Sequence, residues 1–169
     1  VMVPGQFNTT RDNIGNTYIY PQGDMDVSPS GKMPKDGYYF DAIIRQQEIE
    51  EENLNPEDNL EEFKHITKGE LEYFKHQIED AKKKKRAVVA NFGGTAYGDI
   101  ALVPAPFLKN PKGIRDVTEW YISTKIRQNY IHEVFERQSE LAIENMQEIK
   151  NEIENYVDVV YICGTDFGT

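Results

Sequence analysis

The sequence predicts an α/β protein in which a hairpin-rich segment precedes alternating helices and strands. Two observations predict this class. Over residues 1–45, turn-forming residues separate short aromatic runs and no helical period occurs. From residue 55 onward the order is helix, strand, loop, helix, strand, which is typical of parallel strands joined by right-handed crossovers. We therefore expect a β-hairpin segment over residues 1–45 and an α/β segment over residues 46–169.

The hairpin segment contains two runs that favour β structure, at residues 17–20 (TYIY) and 37–40 (GYYF). Gly, Pro, Asn and Asp lie around these runs and supply the backbone conformations of tight turns. A two-stranded ribbon is only marginally stable by itself, so we expect this segment to lie over a larger fold.

Caps and apolar periodicity predict two helices next. Pro56 follows Asn55 as a first helical residue, and apolar residues at three-residue spacing follow as far as residue 66. Thr67 and Glu70 then form a capping box. The stripe behind this box consists of Leu71, Phe74, Ile78 and Ala81. The run KKKKR at residues 82–86 ends the helix, and its charge complements the helix dipole, which we favour over a nucleic-acid patch.

Two strands and a long helical tract complete the pattern. Residues 87–91 (AVVAN) and 157–163 (VDVVYIC) are apolar runs of strand length. Between them, Asp116 caps a helical tract that reaches residue 155. Because this tract exceeds an average helix, we expect two helices or one bent helix.

Composition excludes several classes of partner. The formal net charge of −10 argues against binding to nucleic acid, whose phosphates attract basic surfaces. The acidic runs at residues 48–52 and 57–62 are typical of solvated faces, and an acidic docking patch is the alternative.

The single cysteine, Cys163, fits a reducing compartment, and no segment resembles a signal peptide or a membrane span. We expect a cytoplasmic protein.

Candidate functional residues follow the two predicted strands, because ligands of α/β folds collect at the carboxyl ends of parallel strands. Asn91, Gly93 and Gly94 follow the first strand, and Asp166 follows the second. The glycines allow a ligand to approach the backbone, and Asn91 and Asp166 offer hydrogen-bonding groups. A turn or helix cap is the alternative role of Asp166. The glycine pattern does not match a nucleotide fingerprint, and the three histidines show no metal-ligand spacing, so no metal site is predicted.

Four tracts resemble the uroporphyrinogen decarboxylase superfamily, in particular its methyltransferase-like branch. They are residues 35–41 (KDGYYFD), 55–59 (NPEDN), 86–94 (RAVVANFGG) and 157–169 (VDVVYICGTDFGT). The resemblance implies a (β/α)₈ TIM barrel, of which this chain would supply about two strands with their helices, preceded by the β-hairpin elaboration. It also implies an internal fragment, whose other strands would precede Val1 and follow Thr169.

The resemblance also implies roles for particular residues. Asp166 matches the acid of the family's Asp-Leu/Phe-Gly-Thr signature and would be the catalytic residue. Thr165 stands where many relatives carry a second acid. The implied substrate-binding residues are Asn91, Gly93, Gly94, Thr165, Gly168 and Thr169.

The implied activity is transfer of a methyl group between methylcobalamin, carried by a corrinoid protein, and a thiol or tetrahydrofolate. Any zinc ligands would lie outside this chain. Decarboxylation of a porphyrinogen or another carboxylated substrate is the second interpretation, disfavoured because the family's arginine-rich motif is not in this sequence. A barrel relative that only binds is the third. We expect residues 1–169 alone to be inactive and to pack against the missing half of the barrel or another copy of the chain.

Overall fold

The computed structural model describes residues 8–60, 64–92, 100–153 and 156–161. These residues form two compact units. The meander unit comprises residues 8–60 and 100–134, and the parallel-pair unit comprises residues 64–92, 135–153 and 156–161. The helices are α1 (Lys68–Lys83), α2 (Val117–Ile126) and α3 (Gln128–Ile153). The strands are β1 (Thr9–Arg11), β2 (Thr17–Ile19), β3 (Gly31–Met33), β4 (Asp41–Ala42), β5 (Val89–Ala90) and β6 (Val159–Val160).

The four strands of the meander unit form an antiparallel sheet in the order β1-β2-β3-β4. Tyr18 of β2 lies between Thr10 of β1 and Lys32 of β3. The turn between β1 and β2 is held by Asp12, whose carboxylate accepts the backbone N–H groups of residues 14–16. A side chain that satisfies three backbone donors fixes this turn without a large apolar core.

The aromatic run at residues 37–40 is not a strand, although its composition favours one. It forms bends between β3 and β4, and Tyr38 and Tyr39 expose 89% and 82% of their surface. Gly37 closes a turn by donating its N–H to the carbonyl of Pro34 at 2.9 Å. The turn residues therefore determine this segment more strongly than the β propensity of its aromatic side chains.

A polar clamp holds the loop before α2 within the meander unit. Arg45 donates to the carbonyls of Ala105 and Leu108 at 2.6 and 2.7 Å. Asn59 pairs with the backbone of Ile114 in both directions, donating at 2.8 Å and accepting at 2.9 Å. Because Asn59 and Ile114 are buried, these bonds satisfy backbone groups that water does not reach.

The parallel-pair unit has an apolar core between its two helical segments and its strands. The buried side chains of this core are Leu71, Phe74, Ile78, Phe92, Ile149 and Ile153. Phe74 and Phe92 meet edge to face, with ring centroids 5.0 Å apart. The stripe predicted for α1 is therefore the face that α1 buries, apart from the half-buried Ala81 at its last turn.

Local signals position the helices as the sequence indicates. Thr67 and Glu70 make the capping box of α1, and the Asp116 carboxylate accepts the N–H of Thr118 at 2.8 Å to cap α2. The long tract is two helices that break at Arg127, whose φ and ψ are −122° and 43°. No helix among the described residues is long and apolar enough to cross a bilayer. The short helix predicted after Asn55 does begin at Pro56, but among the described residues it is a 3₁₀ helix, Pro56–Leu60.

The barrel that the resemblance implied is also wrong for this structure. The described residues hold one antiparallel four-stranded sheet and one parallel pair, β5 and β6, with three helices. A barrel needs eight parallel strands that close on one another, whereas β5 and β6 contain only two paired residues each. The hairpin segment is not an elaboration of a barrel, because its strands form a sheet of their own.

Candidate functional site

The candidate site lies at the carboxyl edge of the parallel pair. Val89 pairs with Val159 and Ala90 with Val160, so both strands end at the same level. The N–H of Tyr161 donates to the carbonyl of Ala90 at 2.8 Å and continues this register by one residue. The chain segments that follow β5 and β6 therefore leave the sheet from one edge, as alternating helices and strands predict.

Contacts at the opposite, amino edge fix this register. The carboxylate of Asp158 accepts the N–H of Val88 at 2.8 Å. The carbonyl of Val88 accepts the N–H groups of Asp158 and Val159 at 3.1 and 3.2 Å. A slip by one residue would exchange the core and outer faces of β5, so these bonds and the buried Phe92 specify one arrangement.

Asn91 is the sequence-predicted site residue that the structure describes. It lies directly after β5, its side chain is exposed, and the next residue, Phe92, is buried against Phe74. The alternation of an exposed amide and a buried ring holds Asn91 at the edge of the sheet. The other predicted site residues lie outside the described residues; they are Gly93, Gly94, Thr165, Asp166, Gly168 and Thr169.

The exposed face of the parallel pair is apolar. Val89 and Val159 are cross-strand partners and expose 63% and 52% of their surface, and Tyr161 exposes 52%. Parallel sheets in proteins are generally covered on both faces. The exposed side chains of Asn91 and Tyr161 thus lie at the carboxyl edge, beside the apolar surface of Val89 and Val159. This combination suits a ligand with an apolar body and a few polar groups.

The histidines lie on surfaces. His65 is 3.6 Å from Glu144 and His76 is 3.8 Å from Asp80, and His132 is exposed. Within the described ranges, no three His, Cys, Asp or Glu side chains cluster in a way that could hold a metal ion. Cys163 lies outside the described residues.

Sequence reasoning missed a groove at the junction of α2 and α3, in the meander unit. It encloses about 530 Å³, and its walls include Leu54, Lys125, Arg127 and Tyr130. It contains none of the sequence-predicted site residues. A signal was present in the sequence, because the polar run RQN at residues 127–129 interrupts the apolar pattern of the helical tract.

Arg127 organises one wall of this groove. Its guanidinium binds both carboxylate oxygens of Glu51 through Nε at 2.9 and 3.0 Å, and it donates to Ser123 Oγ at 2.9 Å. The hydrogen bond with Glu51 raises the pKa of Arg127 and lowers the pKa of Glu51. Both groups are therefore charged at neutral pH, and the paired charges leave the wall nearly neutral.

Tyr130 is a further polar side chain that lines the groove. Its hydroxyl donates to Asn59 Oδ1 at 2.6 Å, next to the bond that Asn59 accepts from Ile114. Burial, with a smaller contribution from the carboxylate of Asp58, raises the pKa of Tyr130 well above its usual range. The phenol is thus a neutral donor that is already engaged, and it supports the clamp rather than acid–base chemistry.

Comparison with protein-family models, with curated proteins and with solved structures gives no match.

Proposed function

We propose that the protein is a cytoplasmic methyltransferase that moves a methyl group between a corrinoid protein and a thiol or tetrahydrofolate. One observation carries this proposal, the parallel pairing of β5 and β6 with both strands ending at one level. This pairing brings the first residues after the two strands, Asn91 and Tyr161, to one edge of the pair. In the sequence, the ends of two of the four tracts that resemble the methyltransferase-like branch, residues 91–94 and 161–169, follow these strands.

Methyl transfer requires the nucleophile and the methyl carbon to approach in line, with water excluded. Methylcobalamin on its partner protein would supply an electrophilic methyl carbon. The residues of this chain would hold the acceptor. The exposed apolar surface of Val89 and Val159 beside the edge can exclude water when a ligand or partner covers it.

Asp166 and Asn91 have complementary roles in this proposal. Asp166, six residues after the end of β6, would accept a hydrogen bond or the proton from the thiol or amine of the acceptor. Asn91 can both donate and accept, so its amide would fix the orientation of the acceptor. Phe92 contributes no polar group, and its burial against Phe74 keeps Asn91 in place.

The protein translated from its complete reading frame provides the test. Purified protein is mixed with methylcobalamin and either a thiol, with Zn²⁺ present, or tetrahydrofolate, and demethylation is followed by the change in the cobalamin absorption spectrum. The proposal predicts a spectral change that requires both protein and acceptor. No change with any acceptor, together with CO₂ release from a porphyrinogen, would replace methyl transfer with decarboxylation.

A further inference from the structure

A basic block at the end of α1 stands out on an acidic protein. Residues 82–86 are five consecutive cations, whereas the chain as a whole carries a net charge of −10. The helix ends at Lys83, and Lys85 has a positive φ of 53°, which turns the chain out of the helix. All five side chains are exposed. The block is therefore a compact positive surface at the start of the connection to β5.

Part of this charge is already used locally, and part is not. Lys82 lies over the ring of Tyr156, and Lys83 binds the carboxylate of Asp80 at 3.0 Å. The backbone N–H groups of Lys84 and Lys85 donate to the carbonyls of Ala81 and Lys82, but the side chains of Lys84, Lys85 and Arg86 form no hydrogen bond or salt bridge in the described part of the chain. Three cationic groups thus remain available to a partner.

The chain also contains an acidic block that is rich enough to be that partner. Residues 48–62 include eight carboxylates and no lysine or arginine, so this block carries most of the net charge of the protein. Glu51 is engaged by Arg127, and Glu50 accepts a hydrogen bond from Asn53. Glu48 and Glu52 are exposed and have no such contact within the described ranges.

We propose that the basic block of one copy of this chain docks on the acidic block of a second copy. Other anions fit the block less well. Nucleic acid presents dense negative charge along its whole length and is disfavoured by the net charge of −10, whereas a second copy presents its negative charge mainly in one block, so local complementarity can outweigh the like net charges. A compact anion near the end of α1 would face the negative pole of the helix dipole. A row of carboxylates on another protein surface can instead contact the ends of the long Lys84 and Arg86 side chains, away from that pole.

The contact joins two different surfaces, so each copy offers its basic block to one neighbour and its acidic block to another. Such a heterologous contact closes into a ring or extends into a chain of molecules. Because exposed ion pairs are individually weak and are screened beyond about 8 Å at physiological salt, the association is expected to be weak and sensitive to salt.

Sedimentation equilibrium at several protein concentrations tests this proposal. At about 50 mM salt the average mass should rise above that of one chain, and the association constant should fall about tenfold or more by about 300 mM salt. The triple variant Lys84→Glu, Lys85→Glu and Arg86→Glu should sediment as a monomer. The control Lys35→Glu, Lys112→Glu and Lys150→Glu makes the same change in net charge at exposed positions and should retain association.

A charge exchange completes the test. The variant Glu48→Lys, Glu50→Lys and Glu52→Lys should also be monomeric by itself. It should associate when mixed with the triple variant Lys84→Glu, Lys85→Glu and Arg86→Glu. Circular dichroism melting curves confirm that each variant is folded. A wild-type protein that stays monomeric at low salt would overturn the proposal, and so would a mixture of the two variants that does not associate.

Discussion

Replacement of Gly113 by alanine should destabilise the meander unit strongly, because the structure leaves no room for a side chain there. Gly113 has a φ of +77°, and a Cβ atom added to it would lie 2.4 Å from Asn59 Oδ1 and 3.2 Å from Asp58 Cβ. Asn59 Oδ1 is the atom that accepts the N–H of Ile114 and the hydroxyl of Tyr130. The substitution therefore strains the backbone and displaces a buried side chain that makes several hydrogen bonds.

The magnitude follows from these two effects. A non-glycine residue in the left-handed region costs about 1–2 kcal/mol. Disturbing the hydrogen bonds of the buried Asn59 costs about 1 kcal/mol for each bond that is lost. We expect Gly113→Ala to lower the free energy of unfolding by about 2–4 kcal/mol.

Urea denaturation followed by tryptophan fluorescence measures this change, since Trp120 lies buried in the same unit. Gly69→Ala is the matched control, because Gly69 lies in the first turn of α1 with no atom within 4 Å of an added Cβ. That control should be neutral or stabilise by up to about 1 kcal/mol. A Gly113→Ala protein within about 0.5 kcal/mol of wild type would refute the account of the clamp.

Three further predictions concern local structure. The hydrogen bond with Asn16 is the main cause that lowers the pKa of Asp12 from 3.8 to about 2, so its contribution to stability is present above pH 4 and is lost as the pH falls towards 2. Asp12→Asn should therefore flatten the pH dependence of the free energy of unfolding between pH 4 and pH 2. An unchanged slope would contradict this role of Asp12. Phe92→Ala should cost about 3 kcal/mol because it leaves a cavity beside Phe74, and thermal melting would reveal the loss; a change below about 1 kcal/mol would show that the ring is not part of the core. Thr67→Ala removes the capping box of α1 and should lower the free energy of unfolding by about 1 kcal/mol, as measured by thermal melting. Thr118→Ala is the neutral reference, because Thr118 is exposed in the first turn of α2.

Local signals in the sequence predicted local structure well. The capping box of Thr67 and Glu70, the cap formed by Asp116 and the division of the long helical tract all depend on residues within one or two turns of each other. The parallel pairing of β5 and β6 followed from the alternation of helices and strands. In each case the determining atoms are close in sequence, or the chirality of the connection restricts the choices.

The long-range polar contacts could not be predicted in the same way. Arg115 is 1% exposed, although arginine is typical of surfaces, and its burial depends on carbonyl groups such as that of Asp58. Gln46 accepts the N–H groups of Arg115 and Asp116 across about 70 residues of sequence. Such pairings leave no periodic pattern, so the clamp and the groove beside it emerge only from the structure.

The barrel prediction failed for a related reason. It extended two strand-like runs to a closed fold by resemblance, whereas the described residues pair those runs only over Val89–Ala90 and Val159–Val160. Of the candidate site, the structure places Asn91 at the expected edge. The role of Asp166 stays a prediction from the sequence.

The most direct test compares Asp166 and Asn91, the residues proposed to hold the acceptor, with Asp158 at the amino edge of the parallel pair. Methyl transfer from methylcobalamin is measured for Asn91→Ala at the carboxyl edge, for Asp166→Asn in the sequence after β6 and for Asp158→Asn at the amino edge, in the protein from its complete reading frame. We predict that Asn91→Ala and Asp166→Asn both lose activity, Asp166→Asn by about 100-fold or more. Asp158→Asn should keep its rate once its melting curve has verified that it is folded. Equal rates for wild type and Asp166→Asn, with both proteins folded, would contradict the catalytic role proposed for Asp166.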